Sequence, residues 1–321
     1  MIRIEIGAEE SGCRLDRILR KRLKLMSLSQ IYSLMRRGGV RIDGRKARQD
    51  YRVQDGDLLE IDASESELAA SSGPDNSLKA IVNTEYFKRN FKIIYQDSDL
   101  LACDKPSGLV VHPGTGHLHR DTLIELATGY LLQKGSLKEG EEPALVHRID
   151  RDTSGVILIA KNKRTTRKLH ETFRQHDIIK QYIAVCHHRP PELEGSIELK
   201  VSRTHEQKSG TKMAVAADGK SARSKYYIRE YHDDLSRVEV FLETGITHQI
   251  RVQMAHLGCP IVGDLRYGDS ELDRKVLKNA KNRLYLHAFR LSFLHPVTGK
   301  RIKIEAHEPK EFSELMRLVA I

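Results

Sequence analysis

Two short amphipathic helices and a small hairpin are predicted at the start of the chain. In the stretch RLDRILRKRLKL, Leu15, Ile18 and Leu19 recur at helical spacing, with arginines and lysines between them. The stretch SLSQIYSLMRRGG repeats this pattern, and its paired glycines favour a helix end. In VRIDGRKA the residues alternate around Asp43-Gly44, a dipeptide typical of a tight hairpin turn. DGDLLEI predicts a further strand, so the pattern indicates a compact α/β unit that ends near residue 62.

The rest of the chain reads as many short strands with a few helices between them. FKIIYQDSDLLACDKPSGLVVHPG predicts strand, turn, strand, loop and a third strand, and GVILIAKN and KQYIAVC predict two more. LIELATGYLLQ and KRTTRKLHETFRQHD have helical periodicity, whereas SKYYIREYHDDLSRVEVFLE alternates like an antiparallel pair. Strands in hairpin order with interspersed helices predict an α+β fold with a mixed, mostly antiparallel sheet.

A linker is predicted between these two parts. The stretch DASESELAASSGPDNSL is rich in serine, alanine and acidic residues, contains Gly-Pro, and has no apolar period. We therefore expect an N-terminal domain at 1–62, a flexible linker at 63–80 and a larger domain at 81–321.

Positive charge is concentrated in the N-terminal part. The chain carries a formal net charge of +10, and the segment from Arg14 to Arg52, with thirteen lysines or arginines against three aspartates, has that same net charge by itself. Such a cluster indicates a nucleic-acid-binding module; the alternative is a solvated surface. The candidate RNA-binding residues are Arg14, Arg17, Lys21, Arg36, Arg37, Arg41, Arg45 and Lys46.

The cysteines and the apolar runs indicate a cytoplasmic protein. The four cysteines are far apart and form no C-x-x-C pair, which argues against a zinc site or a disulfide framework and for reduced thiols. The first residues contain no apolar core of a signal peptide, and no run has the length of a transmembrane helix. We expect neither a metal site nor a membrane partner.

Candidate chemistry lies in the stretch ALVHRIDRDTSGVILIAKN. A dense charged cluster that contains Asp150 stands there between two strand-like segments. A carboxylate at this place is a candidate nucleophile, general base or metal ligand, and a charged surface loop explains the cluster equally well. The segment ETGITHQIRVQMAHLGCPIVGDLRYG adds a polar Thr-His-Gln triplet and places Arg251 inside an apolar run.

Together these segments resemble the RluA-type RNA pseudouridine synthases. The family signature H-R-L-D-x-x-T-S-G is matched from His147 to Gly155, and its T-G-R-T-H-Q-I-R-V-H and G-x-P-I-x-G-D-x-x-Y-G patterns are matched from Thr244 to Gly268. The loop D-K-P-x-G-L-V-V-H-P is matched by residues 104–113, and the resemblance spans roughly residues 91–310. The N-terminal unit is similar to the small RNA-binding domain first recognised in a ribosomal small-subunit protein, the S-four-like domain.

The resemblance implies the pseudouridine synthase fold and an isomerase that needs no cofactor. In the family's reaction uracil leaves its ribose, rotates and is rejoined through carbon 5, without a net redox change. The resemblance assigns the central carboxylate to Asp150, as nucleophile or as a sugar-directed base. Arg251 is expected to pair with Asp150, because an unpaired guanidinium inside an apolar run would be unfavourable. The alternative role for Arg251 is a phosphate contact or a surface charge.

Other positions acquire roles only through the resemblance. Tyr182 is expected against the target base, by stacking or as a proton acceptor from the sugar, and Leu286 as an apolar wall under the uracil. Both would otherwise be interpreted as core residues. Arg148 resembles the residue that fills the gap left by a flipped nucleotide. The remaining substrate-binding candidates are His147, Thr153, His248 and Gln249.

Three positions depart from the family pattern, and alternatives remain. Ile246 stands where Arg is usual, Gln253 where His is frequent, and Ile149 where Leu is usual. The favoured substrate is large-subunit (23S) ribosomal RNA, as naked RNA or in an assembling particle, with transfer RNA as the alternative. A non-catalytic RNA-binding or ribosome-assembly factor is the rival function, and Ile246 is the feature that favours it. A carboxylate hydrolase would require a second acid such as Asp152 and ranks last. We expect a monomer.

Overall fold

A computed structural model describes residues 2–23, 26, 28–62, 78–79, 81–112, 122–137, 141–175, 177–204, 212–232 and 234–319, apart from the side chains of residues 21, 28–30 and 319. The predicted linker at 63–80 lies outside these residues except for 78–79. The chain divides into two compact units: unit 1 comprises 1–84 and 113–135, and unit 2 comprises 85–112 and 136–321. The domain boundaries that we predicted from the sequence stay a prediction.

The secondary structure contains both helices and strands in each unit. In chain order the elements are β1 (Ile2–Glu5), α1 (Leu15–Arg22), α2 (Leu28–Arg36), β2 (Val40–Ile42), β3 (Arg45–Lys46), β4 (Leu58–Ile61), α3 (Glu85–Asn90), β5 (Lys92–Gln96), β6 (Leu100–Lys105), α4 (Leu123–Gln133), β7 (Ala144–Leu145), β8 (Ser154–Ala160), α5 (Lys163–Arg174), β9 (Ile178–His187), β10 (Glu194–Thr204), β11 (Lys212–Val215), β12 (Lys220–His232), β13 (Leu235–Leu242), α6 (Gln249–His256), α7 (Ser270–Val276), β14 (Leu286–Leu294), β15 (Arg301–Glu305) and α8 (Lys310–Val319).

Unit 1 contains the two predicted helices and the predicted hairpin. Its sheet has the order β1-β4-β2-β3 with antiparallel pairs, and β2 turns into β3 at Asp43 and Gly44, whose φ angles are 50° and 73°. Positive φ at both positions is what a two-residue hairpin turn requires. The apolar helix faces pack on this sheet through buried Leu15, Leu19 and Ile31. The helix and turn predictions for this unit are confirmed.

Unit 2 is built on one large sheet of eleven strands. Nine follow the order β11-β10-β12-β13-β9-β14-β8-β6-β5, while β15 pairs with β14 and β7 with β8. Among the described strands, only β8 and β14 pair in parallel; the other pairs are antiparallel. The predicted α+β class and the mixed, mostly antiparallel sheet are therefore confirmed.

The central strands of this sheet are close-packed and bring distant segments together. All seven residues of β8 are buried, as expected for a continuous apolar run. Gly155 of β8 has a φ of 116°, and a Cβ atom there would lie 2.2 Å from the carbonyl oxygen of Ala288 on β14. A glycine is thus required where the two strands meet. The loop that contains Asp150 leads directly into this point.

One predicted strand is wrong. The apolar run after Ser107 was expected to form a third strand, but Leu109 and Val111 lie in irregular backbone, although both are buried. The carbonyl oxygen of Leu109 accepts a hydrogen bond from the buried Lys105 amine at 2.9 Å, so this acceptor is satisfied without a strand neighbour. Among the described helices, none has both the length and the apolar character of a membrane span.

A buried histidine links β14 to the start of β8. His287 is fully buried; its Nδ1 lies 2.9 Å from the Ser154 hydroxyl and its Nε2 lies 3.3 Å from the Ala306 carbonyl oxygen. Because Arg283 Nη2 donates to the Ser154 hydroxyl at 2.6 Å, that hydroxyl is free to donate its own proton to Nδ1. Burial lowers the pKa of His287 to about 4, so the ring is neutral at neutral pH.

This neutral ring makes stability pH-dependent. Between pH 6.5 and pH 4 the unfolded chain binds a proton at His287 that the folded chain does not, so the free energy of unfolding falls as pH falls. One such group contributes a slope of about 1.4 kcal/mol per pH unit. We expect His287→Gln to flatten the urea-unfolding free energy plotted against pH by this amount. Equal slopes for wild type and His287→Gln would contradict this assignment.

Candidate active site

A cavity of about 510 Å³ in unit 2 contains the predicted site. This volume is in the range of small-ligand sites. Every catalytic and substrate-binding candidate of the sequence analysis lines it: His147, Arg148, Asp150, Thr153, Tyr182, His248, Gln249, Arg251 and Leu286. They come from the loop before β8, from β9, from the segment that begins α6, and from the start of β14.

The loop that carries Asp150 is fixed by backbone contacts with the segment after β6. Lys105 is fully buried, and its amine donates to the carbonyl oxygens of Pro106, Leu109 and Arg151 at 2.7–2.9 Å. The Ser107 hydroxyl donates to the Asp152 carbonyl oxygen at 2.6 Å. Asp150 is therefore presented from a braced loop whose position does not depend on its own side chain.

Arg251 joins two carboxylates. Its Nε and Nη2 each donate to Asp264 at 2.7 Å, and its Nη1 donates to Asp150 Oδ2 at 3.0 Å. The Asp264 side chain is 0% exposed and that of Asp150 is 25% exposed, so the first carboxylate is structural while the second still faces the cavity. The predicted ion pair between Arg251 and Asp150 is present in the structure.

The buried pair is electrostatically balanced. Burial acts to lower the pKa of Arg251, but its hydrogen bonds and attraction to Asp264, then to Asp150, outweigh burial and raise that pKa. Burial likewise acts to raise the pKa of Asp264, and the hydrogen bonds from Arg251 and from the backbone N–H groups of Arg266 and Tyr267 lower it. Arg251 thus stays charged and directs a fixed positive charge at Asp150.

His248 lies on the other side of Asp150. Its Nε2 is 3.8 Å from Asp150 Oδ2, and its Nδ1 is 2.8 Å from the Tyr267 hydroxyl. That hydroxyl accepts from the Met213 N–H at 2.8 Å, which leaves its own proton for Nδ1 and the ring proton for Nε2. Burial lowers the pKa of His248 more than the charge of Asp150 raises it. A neutral imidazole therefore presents an N–H toward the carboxylate.

Tyr182 and Leu286 form an apolar wall of the cavity. Tyr182 lies on β9 opposite Ala288 of β14, two residues beyond Leu286. Burial, followed by the charge of Asp150, raises the pKa of the Tyr182 phenol, so the ring is uncharged. Lys180 lies on the same face of β9 because side chains alternate along a strand, and its amine donates to the Thr244 carbonyl oxygen at 3.0 Å.

Three of the predicted substrate-binding residues are engaged with the protein itself. His147 Nε2 accepts from the Leu158 N–H at 2.9 Å, and its ring stacks on Phe173. The Gln249 amide oxygen accepts from the Thr244 hydroxyl and the Ile246 N–H, which holds the 244–246 turn. Thr153 is buried, and its N–H donates to the Asp150 carbonyl oxygen at 3.2 Å. Arg148 differs, since it is exposed at the cavity.

The three departures from the family pattern fit their surroundings. Ile246 packs against the apolar cluster that includes Met213 and Val252. Gln253 is fully buried; its amide oxygen accepts from the Ser224 hydroxyl at 2.7 Å, and its amide nitrogen donates to backbone carbonyl oxygens. Ile149 is buried. None of the three forms a hydrogen bond with Asp150 in the described structure, so they leave the carboxylate pair intact.

The basic candidates of unit 1 lie mostly on its surface. Arg14 is half-buried and forms two hydrogen bonds with Asp16, at 3.1 Å and 2.8 Å, so its charge is partly compensated. The Lys46 amine donates to the Arg36 carbonyl oxygen at 2.5 Å. The side chain of Lys21 lies outside the described residues. The exposed candidates are Arg17, Arg36, Arg37, Arg41, Arg45 and Lys46.

Sequence reasoning missed Asp264, Tyr267 and the part of α5 that borders the cavity. The sequence did contain a signal for Asp264. A buried guanidinium needs anionic partners, and a Gly-Asp motif that can supply one follows Arg251 closely. His170, Phe173 and Arg174 line the cavity from α5, which no local pattern connects to Asp150. Within the described residues, no group of three His, Cys, Asp or Glu side chains is arranged to hold a metal ion.

Comparisons with known proteins identify the families to which this chain is similar. Residues 99–256 match the family model described as RNA pseudouridylate synthase, and residues 13–59 match the model described as S4 domain. The chain is 36% identical over 307 residues to ribosomal large subunit pseudouridine synthase C of Buchnera aphidicola subsp. Schizaphis graminum, which covers 94% of this chain and 92% of that protein.

Two further similarities are to a second sequence relative and to a solved structure. The protein of the same name from Escherichia coli strain K12 is 34% identical over 309 residues, with 94% of this chain and 92% of that protein covered. Among solved structures, human RNA pseudouridylate synthase domain containing 1 is similar with a TM-score of 0.54 and 25% identity, over 68% of this chain and 84% of that chain.

Proposed function

Because this chain belongs to the RNA pseudouridylate synthase family and carries an S4 domain, we propose that it converts uridines of large-subunit (23S) ribosomal RNA to pseudouridine. Relatives with ribosomal large subunit in their names align with 94% of its length, which supports ribosomal over transfer RNA. The observation that carries the proposal is the half-buried Asp150 carboxylate, held by Arg251 in a cavity with an uncharged aromatic wall.

The reaction requires little beyond one carboxylate and a closed pocket. The N1–C1′ bond of uridine breaks, the C5–C1′ bond forms, the hydrogen on carbon 5 leaves as a proton, and N1 takes up a proton. The product is an isomer, so no oxidant and no energy source enter the balance. Asp150 acts on the ribose side, either as nucleophile at C1′ or as a base, and the Arg251 guanidinium orients it by donating to Oδ2.

The walls of the cavity hold the detached base. Tyr182 packs its uncharged ring against the uracil, because its raised pKa favours the phenol over the phenolate. Leu286 supplies an apolar surface on the same wall. His248 directs its Nε2 N–H toward Asp150 Oδ2, 3.8 Å away. Arg148, exposed at the cavity, fills the space that the flipped nucleotide leaves.

Tritium release tests the proposal. Transcripts of large-subunit ribosomal RNA labelled with tritium at carbon 5 of uridine are incubated with the chain, and tritium in water is counted. We expect release that stops at one or a few equivalents per RNA, and none from transfer RNA transcripts. Release from transfer RNA alone would replace the substrate, and no release from either RNA would favour the non-catalytic factor.

Unit 1 is proposed to anchor the RNA through its exposed cations. Neutralising three of them together (Arg17→Gln, Arg36→Gln and Arg45→Gln) should lower the salt slope of RNA affinity by about 2, since each single-strand phosphate contact contributes about 0.7. The control carries Lys275→Gln, Lys278→Gln and Lys310→Gln, three exposed positions of unit 2 that do not line the cavity, and should keep the wild-type slope. Equal salt slopes of RNA affinity for all three proteins would contradict the anchoring role.

We also propose that the chain acts in the cytoplasm and as a monomer.

A further inference from the structure

We propose that the exposed face of α5 binds the phosphates of the RNA strand that flanks the target uridine. This inference rests on the proposed function, since it names a second contact surface for the same RNA. The surface, called the α5 stripe, consists of Lys163, Arg167, His170 and Arg174.

The four residues form one row along the helix. Their separations of four, three and four residues keep them within about 60° of one another around the axis, because each residue turns by about 100°. Over eleven residues the row is about 16 Å long. All four are exposed, so the row is a continuous basic strip on the surface of unit 2.

The charges of the stripe are not neutralised by the protein. In the described structure none of the four forms an ion pair or a side-chain hydrogen bond. Some surface cations elsewhere in unit 2 are paired, such as Lys281 with Glu311 at 2.6 Å and Lys303 with Glu305 at 2.7 Å. Glu171 is the acidic residue of this helix and borders the stripe, but it is in contact with neither arginine at ion-pair distance in the described structure. The stripe therefore keeps a net positive charge.

The stripe ends at the cavity. His170 and Arg174 line the cavity themselves, next to Phe173, whose ring stacks on His147 three residues before Asp150. Arg148 also lines the cavity, is exposed, and makes no hydrogen bond within the described residues. A strand whose uridine occupies the cavity would thus leave it along a row of unpaired cations.

The helix that carries the stripe is rigidly attached. Asn162 caps it by accepting from the Thr165 N–H at 2.9 Å, and the Thr165 hydroxyl donates to Asp99 at 3.1 Å. On the opposite side Leu169 is fully buried in the core, and the Lys168 amine donates to the Pro296 carbonyl oxygen at 2.8 Å. A fixed platform loses little conformational freedom on binding, so its cations suit a backbone partner of regular spacing.

Nucleic-acid backbone fits this surface better than a protein partner. One strand presents a negative charge about every 3.4 Å along a duplex, so a row of about 16 Å spans several successive phosphates. Guanidinium groups bind phosphate through paired hydrogen bonds, and two of the four residues are arginines. The stripe lacks the central apolar anchor that a protein interface uses.

Salt dependence of affinity tests the proposal with the full chain. The stripe variant combines Lys163→Gln, Arg167→Gln and Arg174→Gln, and the probe is the large-subunit transcript used for tritium release. Three lost contacts should reduce the salt slope by about 2 and weaken RNA binding about 100-fold at 0.1 M salt. The affinities of the variant and the wild type should converge near 1 M salt. The control with Lys275→Gln, Lys278→Gln and Lys310→Gln should follow the wild type.

A charge-conserving variant separates electrostatics from packing. Lys163→Arg, Arg167→Lys and Arg174→Lys together should restore the slope to within about 0.5 of the wild type. If the stripe variant keeps the wild-type slope while the wild type releases tritium, the stripe proposal fails and the proposed function stands. If the wild type releases no tritium but the stripe variant loses slope, the function fails and the stripe remains an RNA contact. If the stripe variant does not fold, Arg167→Gln and Arg174→Gln are measured singly, each with an expected change of about 0.7.

Discussion

Asp150→Asn is expected to lower tritium release by at least about 1,000-fold while RNA affinity stays within a few-fold of the wild type. The amide has the size of the carboxylate but neither its charge nor its nucleophilic oxygen. Arg251 would still be held by its two hydrogen bonds to Asp264, so the cavity keeps its shape. The loop that carries Asp150 would also stay in place, because Lys105 donates to the backbone carbonyl oxygen of Arg151 and not to the Asp150 side chain.

Asp152→Asn is the matched control for this experiment. Asp152 lies two residues away, is 43% exposed, pairs with Arg151 and does not line the cavity. It should release tritium at the wild-type rate, which would also remove the two-acid hydrolase from consideration. Full activity of Asp150→Asn, measured under single-turnover conditions with enzyme in excess, would exclude Asp150 as the central carboxylate.

Asp264→Asn should cause the largest loss of stability. Removal of its charge leaves the Arg251 guanidinium largely buried with only the partly exposed Asp150 as an anionic partner. Breaking a buried pair in this way costs about 3–5 kcal/mol of unfolding free energy. Urea unfolding measures the loss, and Asp218→Asn, a substitution in an exposed turn, should stay within about 0.5 kcal/mol of the wild type.

A double substitution separates stability from chemistry at this pair. Arg251→Met with Asp264→Leu removes both buried charges, and such replacements often recover most of the lost stability. We expect the double variant to be more stable than Asp264→Asn and still inactive, because Asp150 has lost its guanidinium partner. If Asp264→Asn unfolds within about 1 kcal/mol of the wild type, the pair is less buried than the structure indicates.

Local sequence patterns predicted the elements but not the contacts between them. The periodicity of RLDRILRKRLKL and the Asp43-Gly44 turn led to correct helices and a correct hairpin, because each depends on neighbours within a few residues. The buried run of β8 was equally clear. After Ser107 the predicted third strand is wrong; there the Lys105 amine donates to the Leu109 carbonyl oxygen, a side-chain contact that no local pattern contains.

For the site, only the family resemblance predicted which residues lie close together in the structure. All nine predicted residues line one cavity, yet they are separated by up to about 140 positions along the chain. Asp264 was missed because its partner Arg251 had already been paired with Asp150, and the guanidinium has donors for both. The α5 side of the cavity was missed because an exposed basic helix has the same pattern whether it binds phosphate or only water.

The backbone of His248 is strained, and this strain sets stability against the function of its side chain. This residue is the N-cap of α6 and has the left-handed conformation, with a φ of 56° and a ψ of 20°. Non-glycine residues in that region are strained by about 1 kcal/mol or more, and glycine would relieve the strain. Selection for a stable fold alone would therefore favour glycine there, whereas the contacts of the imidazole with Tyr267 and Asp150 require a side chain. A redesign of this enzyme guided only by thermal stability would favour glycine at this position and would remove the imidazole that contacts Tyr267 and lies beside the catalytic carboxylate.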